Sequence, residues 1–175
     1  MTIEFFVTDT KTGDRVVVNV EPASVADYKA TKDENWQTPW TSSYIQNPEF
    51  QKYAFRVEST NELIGLGAYR YSPRDYGVYV EYIESSPANN PTMAAEKRYS
   101  GLGAVLLAFG VQLSYDNNCD GSIVFKAKTT ELLKHYIQDY HAIQYSSFDP
   151  YLLLMDYKLA YDLIATFSVD EEEEE

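Results

Sequence analysis

Residues 78–115 constrain this chain more than any other stretch. Val78-Tyr-Val-Glu-Tyr-Ile-Glu-Ser85 is rich in β-branched and aromatic residues and reads as a strand. A long loop, 86–96, follows with Pro87 and Pro91. Arg98-Tyr-Ser-Gly101-Leu-Gly103-Ala104 then opens a helix to about Tyr115. In it Leu102, Val105, Leu106, Phe109 and Leu113 recur at helical spacing and make one apolar face. Gly101 and Gly103 stand where the chain turns from loop into helix. Glycine there tolerates positive φ and lets the backbone approach a ligand. The N–H groups and dipole of a helix start suit a phosphate, and Lys97 and Arg98 beside the turn add positive charge. A tight turn with close helix packing uses the same glycines, so these residues alone leave both readings open. G-x-x-x-x-G-K-[ST] is absent. The third glycine of a dinucleotide-binding fingerprint falls on Leu106, and the preceding strand belongs to a meander.

Around this segment the chain is strand-rich first and helix-rich later. Ile3–Thr8 and Arg15–Val20 flank Thr12-Gly13-Asp14, a hairpin signal. Ser24 caps a short helix to about Lys32. Residues 33–50 are irregular and carry Trp36, Trp40, Tyr44 and Phe50, which either line a pocket or anchor the loop in the core. Tyr53–Glu58 and Leu63–Tyr71 are strands about Ser59-Thr60-Asn61. Asp116–Gly121 is a turn, Ser122–Lys126 a short strand, and Thr130 to about Tyr140 a second helix with Leu132, Leu133, Tyr136, Ile137 and Tyr140 on one side. Tyr151–Met155 is a buried strand, and Lys158–Phe167 is either strand or helix.

The 175 residues fit one domain, read as 1–168. No apolar run approaches the ~18 residues of a membrane span, and the N-terminus lacks a basic region followed by an apolar one, so a cytoplasmic location without membrane contact is expected. The net charge is −13; six of those charges lie in Asp170–Glu175, leaving −7 on the rest. Residues 169–175 are read as a disordered acidic tail. The acid surplus leads to an expectation of no nucleic-acid partner and of a cationic one.

Arg98-x-x-Gly101-x-Gly103 resembles the [Q/R]-x-x-G-x-[G/A] acetyl-CoA motif of the GCN5-related N-acetyltransferase (GNAT) superfamily. The element order is similar over about residues 15–160. The resemblance implies an α+β fold: a mixed, mostly antiparallel twisted sheet flanked by helices, here with an additional N-terminal hairpin strand. It also implies a signature strand, 78–85, that splays from its neighbour. The pantetheine arm would bond to the strand end at Ile83, Glu84 and Ser85. The pyrophosphate would rest on Arg98, Tyr99, Ser100, Gly101, Leu102, Gly103 and Ala104. The family's later segment, N-x-x-A-x-x-F-Y-x-x-x-G-F, aligns with Thr129 to His141. Tyr136 then falls on the tyrosine that protonates the departing thiolate. Thr129, which would touch the cofactor, replaces Asn, and Tyr140 and His141 replace Gly and Phe.

Acylating an ammonium substrate requires a proton acceptor. The family's base often lies on the signature strand. Glu81 shares the face of Tyr79, Ile83 and Ser85 and is the candidate, while Glu84 on the opposite face reads as a solvated carboxylate. The expected reaction is transfer of acetyl from acetyl-CoA to a primary amine, a small cationic amine or a basic peptide, in one ternary complex. The alternative is a non-catalytic CoA-binding or protein-interaction module on the same fold. A homodimer is compatible with the resemblance. No metal is expected. Asp116–Gly121 resembles an EF-hand start but has Ala127 at its twelfth position. His135 and His141 are six apart, so they do not share a helix face as a metal pair. Cys119 has no His beside it in the sequence.

Overall fold

The N-terminal stretch expected as one strand is two. In the computed structural model, which describes residues 1–170, β1 (Thr2–Ile3) pairs with a C-terminal strand, whereas β2 (Phe6–Asp9) forms the hairpin with β3 (Arg15–Pro22). The run Glu171–Glu175, read as tail, lies outside the described residues. The chain divides into two units, Glu4–Tyr69 with Tyr82–Leu106, and Met1–Ile3 with Arg70–Glu81 and Leu107 onward.

In the first unit, β3 leads to α1 (Val25–Asp33). Ser24 Oγ accepts from Asp27 N–H, and the Asp27 carboxylate accepts from Ser24 N–H, a reciprocal cap that fixes where the helix starts. β4 (Gln51–Val57) follows, then β5 (Leu63–Ser72) and β6 (Gly77–Ser85), each with residues in both units, a 3₁₀ turn at Pro87–Asn89, and β7 (Tyr99–Ser100). The strand order is β7-β2-β3-β4-β5-β6, and the pairings β2–β7, β2–β3, β3–β4 and β4–β5 are antiparallel. Residues 34–50 are irregular because their aromatics are core. Trp36, Trp40 and Phe50 are buried with Tyr28, Ile45 and Leu66, so of the two readings core anchoring holds for these three, and Tyr44 alone is exposed.

α2 (Leu102–Asp116) contributes its first turn to this unit and the remainder to the second. Its expected single apolar face is an underestimate. Val105–Ala108, Val111, Leu113 and Ser114 are all buried, so the helix is enclosed nearly all round after its first turn.

In the second unit β8 (Ile123–Lys126), α3 (Thr130–Tyr140), β9 (Ile143–Gln144) and β10 (Leu152–Met155) give the order β6-β8-β10-β9. β6 and β8 run parallel, while β8–β10 and β10–β9 are antiparallel. The segment left open as strand or helix is helical, α4 (Tyr157–Ala165), because Asp156 caps it by accepting from Lys158 and Leu159 N–H and it buries Ala160, Leu163 and Ile164. β11 (Ser168–Val169) closes the pairing with β1, so Val169, read as tail, is in a strand. No described helix is long and apolar enough to cross a membrane.

Candidate functional site

The glycine turn is held from both sides in the first unit. β7 pairs with β2, Thr8 opposite Ser100 and Asp9 opposite Tyr99. Thr10 donates its hydroxyl to the Lys97 carbonyl at 2.6 Å and its N–H to the Arg98 carbonyl at 3.2 Å. From the other side the loop 86–96 reaches in through Asn89, 2% exposed. Its Oδ1 accepts from Tyr99 N–H at 2.8 Å, and its Nδ2 donates to Ser86 Oγ at 2.8 Å. Arg98 N–H donates to the Ala88 carbonyl at 3.1 Å. The added N-terminal hairpin and the long loop therefore converge on the same three residues, Arg98–Ser100.

Gly101 has φ +90°, a conformation other residues adopt only with strain, so the backbone itself requires glycine there. Gly103 is different. It is helical and exposed, and a Cβ built on it meets no atom within 4 Å. Glycine inside a helix costs about 1 kcal/mol relative to alanine, and nothing in the protein asks for it. Leu102 is buried and anchors the helix start, while Ser100, Gly101 and Gly103 are exposed. The first N–H groups of a helix lack intrahelical acceptors. The result is an open, donor-rich helix start without a side chain in the way, flanked by the half-exposed Arg98. That guanidinium lies 5.3 Å from the Tyr99 ring centre and 4.0 Å from Asp9 Oδ2.

The strand end carries a correction. Glu84 is not a solvated carboxylate but 4% exposed. Its Oε1 accepts from Thr38 N–H at 2.9 Å and its Oε2 from Trp40 Nε1–H at 3.0 Å. A period-two count places Glu84 opposite Glu81 but cannot say that a tryptophan loop covers that face. Two donors 44 and 46 residues earlier in sequence leave no local signal.

Glu81, Thr129 and Tyr136 belong to the second unit, apart from the turn set Ile83–Ala104 in the first. Glu81 Oε1 accepts from Arg70 Nε at 2.8 Å, and that guanidinium lies 4.5 Å from the Tyr79 ring centre. Thr129 Oγ1 accepts from Leu132 N–H at 3.1 Å, so the hydroxyl expected at the cofactor is the N-cap of α3. Tyr136 packs edge-on against Phe125 at 5.0 Å, and burial, then Tyr140, pushes its phenol up to about 12. It holds its proton throughout the neutral range. His141 takes the left-handed position that ends α3, where the family pattern beside it has Gly.

The β6–β8 ladder runs only from Val78–Ile123 to Val80–Phe125, whereas β6 continues to Ser85. Beyond Val80 no β6 residue pairs with β8, which itself ends at Lys126. Among the described residues no cluster of His, Cys, Asp and Glu could hold a metal ion.

No family model matches the sequence, and no curated protein matches it. Solved structures do. AtaTR bound with AcCoA aligns at TM-score 0.60 and 12% identity, covering 86% of this chain and 98% of that one. A mutant AtaT toxin bound to the C-terminus of the antitoxin AtaR and acetyl-CoA gives 0.57 and 13%, over 83% and 97%. The KacTA–DNA complex gives 0.56 and 14%, over 85% and 99%. At such identities the likeness shows the fold, and that fold is the GNAT fold. One expectation is overturned. Absence of a nucleic-acid partner does not follow from the acid surplus, because structural neighbours stand in complexes with DNA. Net charge bears on what an isolated chain attracts, not on the assemblies it joins.

Proposed function

We propose that this chain binds acetyl-CoA at the Arg98–Ala104 turn and transfers its acetyl group to a primary amine. The observation that carries the reading is Gly103, exposed at a helix start, with open space where a side chain would be and no packing reason to be glycine. A pyrophosphate approaching the backbone N–H groups of Leu102, Gly103 and Ala104 explains it. The truncated β6–β8 ladder and acetyl-CoA complexes among structural neighbours support the same reading. The cofactor-binding set remains Ile83, Glu84, Ser85, Arg98–Ala104 and Thr129. Glu84 acts through the backbone of the strand end, and Thr129 through the placement of α3.

In the proposed reaction the amine nitrogen attacks the thioester carbonyl, the C–S bond breaks, and the amine proton leaves to a base. Glu81 is the candidate acceptor, and Tyr136, protonated at neutral pH, returns a proton to the thiolate. The alternative, a non-catalytic CoA-binding or protein-interaction module, is favoured by the pairing of Glu81 with Arg70 and the use of Thr129 as a helix cap. Thiol release from acetyl-CoA, followed with a disulfide dye across a panel of polyamines, aminoglycoside-like amines and lysine peptides, tests the proposal. Amine-dependent release supports it. Binding of acetyl-CoA with no release across the panel supports the module.

A further inference from the structure

A groove of about 490 Å³ in the second unit is lined by Tyr115, Asp120, Tyr157, Lys158 and Tyr161, none of which the proposed reaction uses. Tyr157 and Tyr161 lie four apart on α4, so they share a helix face, and they remain 66% and 52% exposed. The Tyr115 ring lies against the turn that precedes β8. A Cβ on Gly121 would stand 2.8 Å from its Cζ, so glycine there admits the ring. Asp120, at φ +55°, brings a carboxylate to the same wall, where Tyr76 donates its hydroxyl to Oδ2 at 3.4 Å. Burial, then Tyr161 and Asp120, push the Tyr115 phenol up, which agrees with their proximity and keeps the ring neutral.

We propose that this groove binds a small alkylammonium ion. The faces of phenol rings attract a cation held within about 6 Å, and Asp120 supplies a full negative charge. Lys158 balances that charge locally. The three tyrosine rings that line the groove and the chain's net charge of −13 then decide the sign of the ligand. The groove shares no residue with the proposed acetyl-CoA set, so the proposal stands or falls separately from the transferase reading.

Choline and its uncharged isostere 3,3-dimethyl-1-butanol, titrated into the full chain and followed by tyrosine ring NMR shifts, test it. Choline should bind at least about tenfold more tightly than the alcohol, and Tyr161→Leu should weaken it about tenfold while Tyr161→Phe stays within about twofold. Asp120→Asn should also weaken choline by removing the negative charge, and the turn is kept because Asn accepts the left-handed backbone. Lys158→Gln should tighten it by removing a like charge. The Tyr161→Phe variant keeps the ring and Lys158 is exposed, so neither comparison depends on a damaged fold. Equal binding of alcohol and choline, weaker choline binding by Lys158→Gln, or no choline binding at 100 mM (about that of a negligible affinity) overturns the proposal.

Discussion

Glu84 shows how one buried side chain ties distant sequence together. Its carboxylate accepts from Thr38 N–H and Trp40 Nε1–H, while Thr38 Oγ1 and the Tyr82 hydroxyl share a hydrogen at 2.6 Å. Removing the carboxylate leaves one buried donor, Trp40 Nε1–H, and one half-buried donor, Thr38 N–H, without it, so Glu84→Ala should lose about 2 kcal/mol in urea unfolding, and Glu84→Gln, which keeps one acceptor oxygen, less. An unchanged unfolding midpoint in Glu84→Ala would contradict the reading of this contact. Tyr136 carries the pH-dependent counterpart. Its folded pKa is raised from 10.0 to about 12, so the folded state binds the proton more tightly. The associated stability is fully present below pH 10 and is lost as pH rises through 12. Tyr136→Phe should therefore flatten the stability loss between pH 9.5 and 12 by on the order of 2 kcal/mol. Thiol release at neutral pH should fall at least about tenfold in the same variant if the phenol is the proton donor.

At the scale of elements, the glycine turn was legible where the information is local. The strand 78–85, the motif 98–104 and the helix after it needed only periodicity, glycine and helix-start chemistry, and the folded bounds differ by a residue at most. The cap residue Ser24 made the start of α1 legible and apolar spacing made α3 legible, whereas the reciprocal bond of Asp27 and the capping by Thr129 emerge only in the structure. What stayed hidden is non-local. Ile3 pairs with Ser168, and Asn89 reaches Tyr99 from a loop that reads only as an insertion. The roles of Glu81 and Tyr136 came through resemblance and keep the standing of proposals. The additional N-terminal hairpin strand β2 and the long loop 86–96 are explained together as the two braces of Arg98–Ser100. Asn89→Ala removes one brace. It should cost about 2 kcal/mol of stability, speed hydrogen exchange at Tyr99 N–H, and weaken acetyl-CoA binding. Asn89→Asp, which retains an acceptor for Tyr99 N–H, should exchange more slowly than Asn89→Ala.

Over the whole molecule the charge of −13 acts in opposite directions on the two proposed substrates. A cationic amine is attracted and polyanionic acetyl-CoA is repelled, so raising ionic strength from 50 to 500 mM should increase KM for the amine and leave that for acetyl-CoA unchanged or lower. The same sign of response for both would remove the electrostatic argument for a cationic acceptor. Under the proposed function, the acid surplus leaves backbone N–H groups and Arg98, rather than a broad basic surface, to meet the cofactor. Gly103 is then the central residue. The measurement that tests this most directly is calorimetric titration of acetyl-CoA into the wild-type chain and Gly103→Glu, with thermal unfolding of both. A glutamate in the first turn of a helix fits the dipole, removes a poor helix former and meets no atom within 4 Å, so the variant should be at least as stable as the wild type, by up to about 1 kcal/mol. It should nonetheless lose acetyl-CoA binding. No binding by the wild type, or equal binding by a folded Gly103→Glu, would contradict the account.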